Sequence, residues 1–133
     1  MLRACTIFVV LLSTVFAGCV TKPQTMVTVT PRTACSPLTL KQGQELLLTL
    51  PSDPSSGYRW LIDDSATSIL KSLGPEVFSS ADKDEDIVGA AGQSSWRFKS
   101  IHSGNAALAL SYKQPWDSNA QPEKTFTCQI RVQ

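Results

Sequence analysis

Histidine is nearly absent, and that scarcity narrows the function first. The chain of 133 residues holds 1 histidine, His102, in the polar stretch 100–105. No Ser-His-Asp or Cys-His set is supported by position, so an enzyme is the weakest class of function. A metal site wants more ligands than one histidine and cysteines at unrelated spacings supply, so neither metal nor cofactor is expected. Excess charge is missing too: Lys+Arg number 12 and Asp+Glu 11. A nucleic-acid partner would want a basic face, and none is implied. The apolar stretch at residues 7–16, broken by Ser13 and Thr14, is too short to span a bilayer as a stable helix. There is no internal repeat and no sustained helical period. Residues 65–73 alone suit a helix, and a brief one.

What the N-terminus does contain reads as an export signal. Arg3 supplies the positive charge, residues 7–16 the apolar core, and Ala17-Gly18 stand directly before Cys19. Small-small-Cys after an apolar run resembles a bacterial lipobox, in which the peptide is cut before a cysteine that then carries lipid. Phe16 stands where leucine is usual. The simpler alternative is plain secretion with Cys19 left free, a liability in an oxidising compartment. Val20, rather than Asp, favours by the same resemblance the outer membrane, facing the periplasm. The resulting division is a signal peptide over 1–18, a lipidated Thr-, Pro- and Gln-rich tether over 19–34, and a folded domain over 35–133. Within the tether, residues 26–30 alternate and could add an edge strand. Removing 18 of the 133 residues leaves 115, enough for one domain with a modest core. Arg3 leaves with the signal, so the mature side chains are formally neutral, and membrane contact is expected through lipid on Cys19 rather than through a charged patch.

Of the 4 cysteines, Cys5 leaves with the signal, and Cys35 and Cys128 remain besides Cys19. In an exported protein such a pair reads as a disulfide, the alternative being two buried thiols. Closing so long a loop is worth up to ~4–5 kcal/mol on the chain-entropy account.

The domain reads as strands. Leu46, Leu48 and Leu50 share a face, with Leu47 an exception. Tyr58, Trp60 and Ile62 share another, as do Trp96 and Phe98, then Ala106, Leu108, Leu110 and Tyr112, then Phe126, Cys128, Ile130 and Val132. Period-two alternation of this kind marks strands buried on one face. Six or seven strands without alternating helices predict an all-β antiparallel sandwich. Residues 79–93, with the acidic run 82–86, read as one long loop.

Three turn motifs interrupt the strands: Asp53-Pro54-Ser55-Ser56-Gly57-Tyr58, Gly89-Ala90-Ala91-Gly92, and Gln114-Pro115-Trp116. In the first, Pro54 fixes its own φ and extends Asp53, Gly57 permits a positive φ, and two small hydroxyls sit at the tip, a stiff loop presenting hydroxyls and main chain outward. An ordinary hairpin turn uses the same residues. In the second, glycines allow a foreign backbone to come close; plain flexibility competes. A phosphate cradle would need a following Lys-Ser or Lys-Thr and a helix, and Gln93-Ser94-Ser95-Trp96 offers neither. In the third, Trp116 lies in a polar stretch, the setting of a binding hot spot, unless it folds back as a lid on the core.

In this order, the motifs resemble the chagasin family of cysteine-peptidase inhibitors, which carries Asn-Pro-Thr-Thr-Gly-Tyr, Gly-x-Gly-Gly and Arg-Pro-Trp in three loops. Arg59-Trp60 after the first motif, Trp96 and Phe98 after the second and Tyr112 before the third extend the match over roughly residues 38–132. The resemblance implies an immunoglobulin-like sandwich with the three loops aligned at one end. It also implies a monomer that blocks papain-like peptidases tightly, reversibly and noncovalently, with the first loop at the catalytic centre and the others clasping the cleft. The target would be the organism's own peptidase or a host's. Ser55 and Ser56 replace threonines, Asp53 replaces Asn and adds a charge, Ala91 adds a Cβ where the family has glycine, and Gln114 removes an arginine's charge-assisted hydrogen bond. Two rivals stand beside this reading. One is a periplasmic lysozyme inhibitor, faintly echoed by Ser56-Gly57; the other is a structural or interaction lipoprotein of the envelope with no enzyme target.

Overall fold

The computed structural model describes residues 25–80 and 91–133, so the segment expected to be a signal peptide, Cys19, Gly89 and Ala90 lie outside the described residues. Nine strands form two sheets: β1 (Met26–Val29), β2 (Leu38–Leu40), β3 (Glu45–Ser52), β4 (Arg59–Ser65), β5 (Leu70–Ser72), β6 (Val77–Ser80), β7 (Gly92–Ser100), β8 (Gly104–Lys113) and β9 (Lys124–Val132). One sheet runs β1-β3-β7-β5, with β6 also paired to β7; the other runs β2-β9-β8-β4. The inward sides of the two sheets meet in one core. Leu46, Leu48, Leu50, Leu108 and Cys128 are fully buried there, with Phe98, Leu110, Ile130, Val132, Trp60, Trp96 and Tyr112 nearly so. Alternation was thus a sound guide, because each strand has one covered face.

Four details differ from the expectation. The sandwich is not wholly antiparallel: β1 runs parallel to β3 and β2 parallel to β9. The chain supplies both as edge strands before the hairpins begin, so neither is constrained by a tight turn to run antiparallel. The edge strand expected within residues 26–30 is present as β1, with Val29 fully buried, so the sandwich takes in part of the stretch read as a tether. Ile62 is 43 % exposed rather than inward. It sits on the edge strand β4 beside a bulge at Asp63, where the register with β8 shifts. Residues 65–73 form no helix. Asp64 accepts a hydrogen bond from the Ala66 N–H at 2.8 Å. Ala66 takes φ 53, a left-handed conformation that ends any helical path. Ile69 and Leu70 are then both buried, Leu70 leading β5 into its pairing with β7. Finally, β6 continues to Ser80 and β7 starts at Gly92, so the loop read over 79–93 is shorter at both ends.

The disulfide joins Cys35 and Cys128 across a sequence separation of 93. It ties the crossover between β1 and β2 to the buried face of β9.

Register decides where the loops go. Ser52 pairs with Gly92, Arg59 with Lys113 and Tyr112 with Lys124. The connections β3–β4, β6–β7 and β8–β9 therefore leave the sandwich at the same end. The turns joining β2 to β3 and β7 to β8 lie at the other.

Candidate functional site

The β3–β4 loop is a single 3-10 turn, Pro54–Ser56, capped by Asp53 and closed by Gly57 at φ 80. Its rigidity comes from its own polar groups. The Asp53 carboxylate accepts from the Ser55 N–H at 3.1 Å and from the Ser55 hydroxyl at 2.5 Å. The Ser56 hydroxyl donates to the Asp53 carbonyl at 2.6 Å and accepts from the Tyr58 N–H at 3.3 Å. The two serines are exposed, in keeping with a tip that presents hydroxyls outward, and their hydroxyls also bond within the turn. The reason is geometric: short Ser and Asp side chains reach main-chain groups two or three residues away more readily than they reach outward.

Two residues brace this loop from behind. The Arg59 guanidinium donates to the carbonyls of Pro54 at 2.9 Å and Tyr58 at 2.8 Å. The Tyr112 hydroxyl accepts from the Asp53 N–H at 3.1 Å. Tyr112 is also an aromatic hub, with Tyr58 stacked at 5.5 Å between centroids, Trp60 at 5.0 Å and the Lys124 ammonium 5.4 Å from its ring centre. In the sequence Arg59 stands out only as a residue flanking the first motif, and Tyr112 as a strand residue preceding the third; neither announces a bracing role. Position is the one signal available: Arg59 is the first residue of β4 and Tyr112 the last but one of β8.

The β8–β9 loop opens with a turn in which the Asp117 N–H donates to the Gln114 carbonyl at 3.2 Å. Pro115 occupies the second position, which suits its fixed φ. Asp117 then accepts from the N–H groups of Asn119 and Ala120, both at 3.1 Å. Trp116 does not fold back onto the core; it is 72 % exposed. Its ring tip leans on the first loop, since a Cβ built on Gly57 would lie 2.7 Å from Trp116 Cη2. Gly57 is thus required twice, by its positive φ and by the indole resting against it.

In the second motif, Ala91 is exposed and Gly92 opens β7. A Cβ on Gly92 would stand 2.1 Å from the Ser79 carbonyl oxygen and 2.9 Å from Phe78 Cζ. That glycine serves the close passage of β6 and the Phe78 ring. Ala91 and Gly92 join Pro51, Ser52, Asp53, Tyr112 and Lys124 around one shallow depression. The bases of the three loops therefore meet. Among the described residues of this edge, Asp53, Asp117 and Glu123 stand against Arg59, Lys113 and Lys124, and no group of three or more His, Cys, Asp or Glu is gathered that could hold a metal.

A braced polar wedge flanked by a protruding indole, carried on the end of a β-sandwich, defines a binding module of the loop-presenting kind. The chain matches the model of the Chagasin family peptidase inhibitor I42 over residues 39–130. It belongs to the chagasin family and is a protein inhibitor of cysteine peptidases. It is similar to Amoebiasin-1 of Entamoeba histolytica, at 28 % identity over 97 residues, covering 72 % of this chain and 89 % of the relative. It is also similar to Chagasin of Trypanosoma cruzi, at 24 % over 99 residues, covering 71 % and 87 %. Among solved structures, the cysteine protease inhibitor EhICP2 from Entamoeba histolytica superposes with TM-score 0.68 at 18 % identity, covering 81 % of this chain and 95 % of the other. PbICP-C, solved in complex with falcipain-2, superposes with TM-score 0.51 at 18 % identity, covering 81 % and 89 %.

Proposed function

We propose that the three-loop edge docks reversibly and without covalent chemistry into the cleft of a papain-like cysteine peptidase, as a monomer carried on the bacterial cell envelope by lipid on Cys19, at the outer membrane facing the periplasm. The turn 53–58 would cover the catalytic centre, with 114–116 and 89–92 on either side. One observation carries the reading: Trp116, 72 % exposed, is held against Gly57 at the tip of the first loop, so an apolar anchor and a polar wedge form one protruding edge. Large apolar side chains are seldom left so open without a partner to cover them, and tryptophan leads among interface hot spots. The internal bonds of the wedge mean that docking orders little chain. A contact of usual size would bury ~800 Å² on each partner. The Ser56-Gly57 pair, the echo of a lysozyme inhibitor, is accounted for here by turn closure and by the seat of Trp116.

Titration of the processed chain against papain and cathepsin L, with lysozyme as control, tests the proposal. Inhibition of the peptidases at sub-micromolar concentration with lysozyme untouched is the expected result. No inhibition of any papain-like enzyme would return the domain to a structural or interaction role.

A further inference from the structure

The formal neutrality of the mature chain conceals an uneven distribution of charge. Lys71 on β5 lies directly opposite Lys99 on β7. Both are exposed. Like charges facing each other across a strand pair are unfavourable, and an anionic partner would relieve that repulsion. Glu45 is the residue opposite Lys99 on its other side, but its carboxylate is taken by Arg97 at 2.6 Å, the one ion pair among the described residues. Lys41 lies in the turn joining β2 to β3 at this same end of the sandwich, where its carbonyl accepts from the Ser100 hydroxyl at 2.7 Å. Arg131 adds a further cation beside Asn105, which accepts from it at 3.1 Å. Against these stands Asp64, engaged with the Ala66 N–H. The end of the sandwich remote from the three loops is therefore positive, and among the described residues its lysines form no ion pair.

The same end receives the N-terminal chain. Met26 pairs with Glu45, Glu45 with Lys99 and Lys99 with Lys71, so the first strand residue and the lysine pair lie in one row across the sheet. The Thr25 carbonyl accepts from the Glu45 N–H at 2.8 Å, which holds Thr25 at this end of the sheet. Only residues 20–24 separate Thr25 from Cys19, a reach of at most about 21 Å. β3 then spans roughly 25 Å from Glu45 to Ser52 at the loop end.

From these placements we infer that the pole bearing Lys41, Lys71 and Lys99 is a second interaction surface, which rests on an anionic phospholipid bilayer and holds the three-loop edge pointing away from it. The orientation depends on the proposed anchoring at Cys19; the attraction to anionic lipid does not. A captured peptidase is then one approaching from the aqueous side, because the loops face away from the membrane and the tether is too short to turn the domain over.

The test uses the processed chain from residue 19, which contains both sheets and the disulfide, with Cys19→Ser so that no lipid contributes. Sedimentation is measured with vesicles of phosphatidylcholine alone or with a third phosphatidylglycerol. Binding is expected only to the anionic vesicles, weakening steeply with added salt over the Debye range. Lys71→Gln with Lys99→Gln should reduce it about thirty-fold, corresponding to ~1 kcal/mol for each lysine near such a surface. Lys113→Gln with Lys124→Gln, at the loop end, should leave it within about two-fold. Peptidase titration of the Lys71/Lys99 variant checks that the fold and the three-loop edge are intact. Equal binding to both vesicle types, or equal loss from the two lysine pairs, overturns the inference. Failure of peptidase inhibition with lipid binding intact would instead count against the proposed function alone.

Discussion

Gly57→Ala isolates the contact on which the three-loop edge is built. The substitution does two things. It places an L side chain at φ +80, a left-handed conformation that costs a non-glycine residue roughly 1–2 kcal/mol. It also sets a methyl 2.7 Å from Trp116 Cη2, where carbon atoms prefer 3.5–4.0 Å, so the ring must retreat by about 1 Å. Because the indole is 72 % exposed, it can retreat without disturbing the core. Stability should therefore fall only by the strain, ~1–2 kcal/mol, with the melting temperature dropping about 4–8 °C for each kcal/mol in a domain of this size. Affinity should fall as well, because the anchor is displaced from the wedge. Trp116→Ala alone should weaken inhibition of papain by about 2 kcal/mol, a hot-spot loss, with little change in melting temperature. If the two residues act through one contact, the double variant should lose less affinity than the sum of the singles, by ~1 kcal/mol or more. Inhibition constants from progress curves for the four proteins, with urea titrations alongside, complete the cycle. Additivity within ~0.3–0.5 kcal/mol would show that Gly57 and Trp116 contribute independently, and the single-edge reasoning would be wrong.

Asp53→Ala removes the cap that accepts two donors from Ser55, and should lower stability by about 1 kcal/mol. Asp53→Asn, which keeps an acceptor oxygen, should recover most of that loss; equal urea midpoints for the Ala and Asn variants would contradict the capping role. Replacing Cys35 and Cys128 with serine should cost up to ~4–5 kcal/mol, read from denaturant midpoints, given the separation of 93 residues between the joined sites. Two free thiols detected in oxidised, unfolded protein would refute the bond itself.

The strands were legible because the β-sandwich imposes a period of two on the residues it covers, and Leu46, Leu48 and Leu50 or Cys128, Ile130 and Val132 obey it without exception. The failures fall where a second constraint overrides that period. Ile62 occupies the right parity, but β4 is an edge strand and the Asp63 bulge turns it outward. Residues 65–73 have helical content, yet the demand of β7 for a partner draws Leu70–Ser72 into the sheet. Parallel pairing of β1 and β2 was invisible, because alternation carries no information on strand direction.

At the site, the tips were legible from turn chemistry, whereas the supports were not. Pro54, Gly57 and Pro115 announce turns through their own backbone preferences. Tyr112 braces Asp53 from 59 residues away, and Gly92 is glycine because of Ser79 and Phe78 on another strand. Such roles are set by register, which a single sequence does not state.

The departures of the first loop from the family pattern acquire a physical meaning from these contacts. Ordering a residue's backbone costs roughly 1–2 kcal/mol, so six free loop residues would carry a penalty on docking comparable with a whole interface's net affinity. Here Asp53, Ser55 and Ser56 bond one another, while Arg59 and Tyr112 hold the turn from behind. Most of that ordering accompanies folding rather than binding. Serine loses the methyl group of threonine but keeps the hydroxyl that makes these bonds, and aspartate keeps the acceptor that asparagine would offer. The substitutions therefore conserve the stiffness of the wedge and alter its apolar contact area and charge, the two properties that discriminate between one peptidase cleft and another.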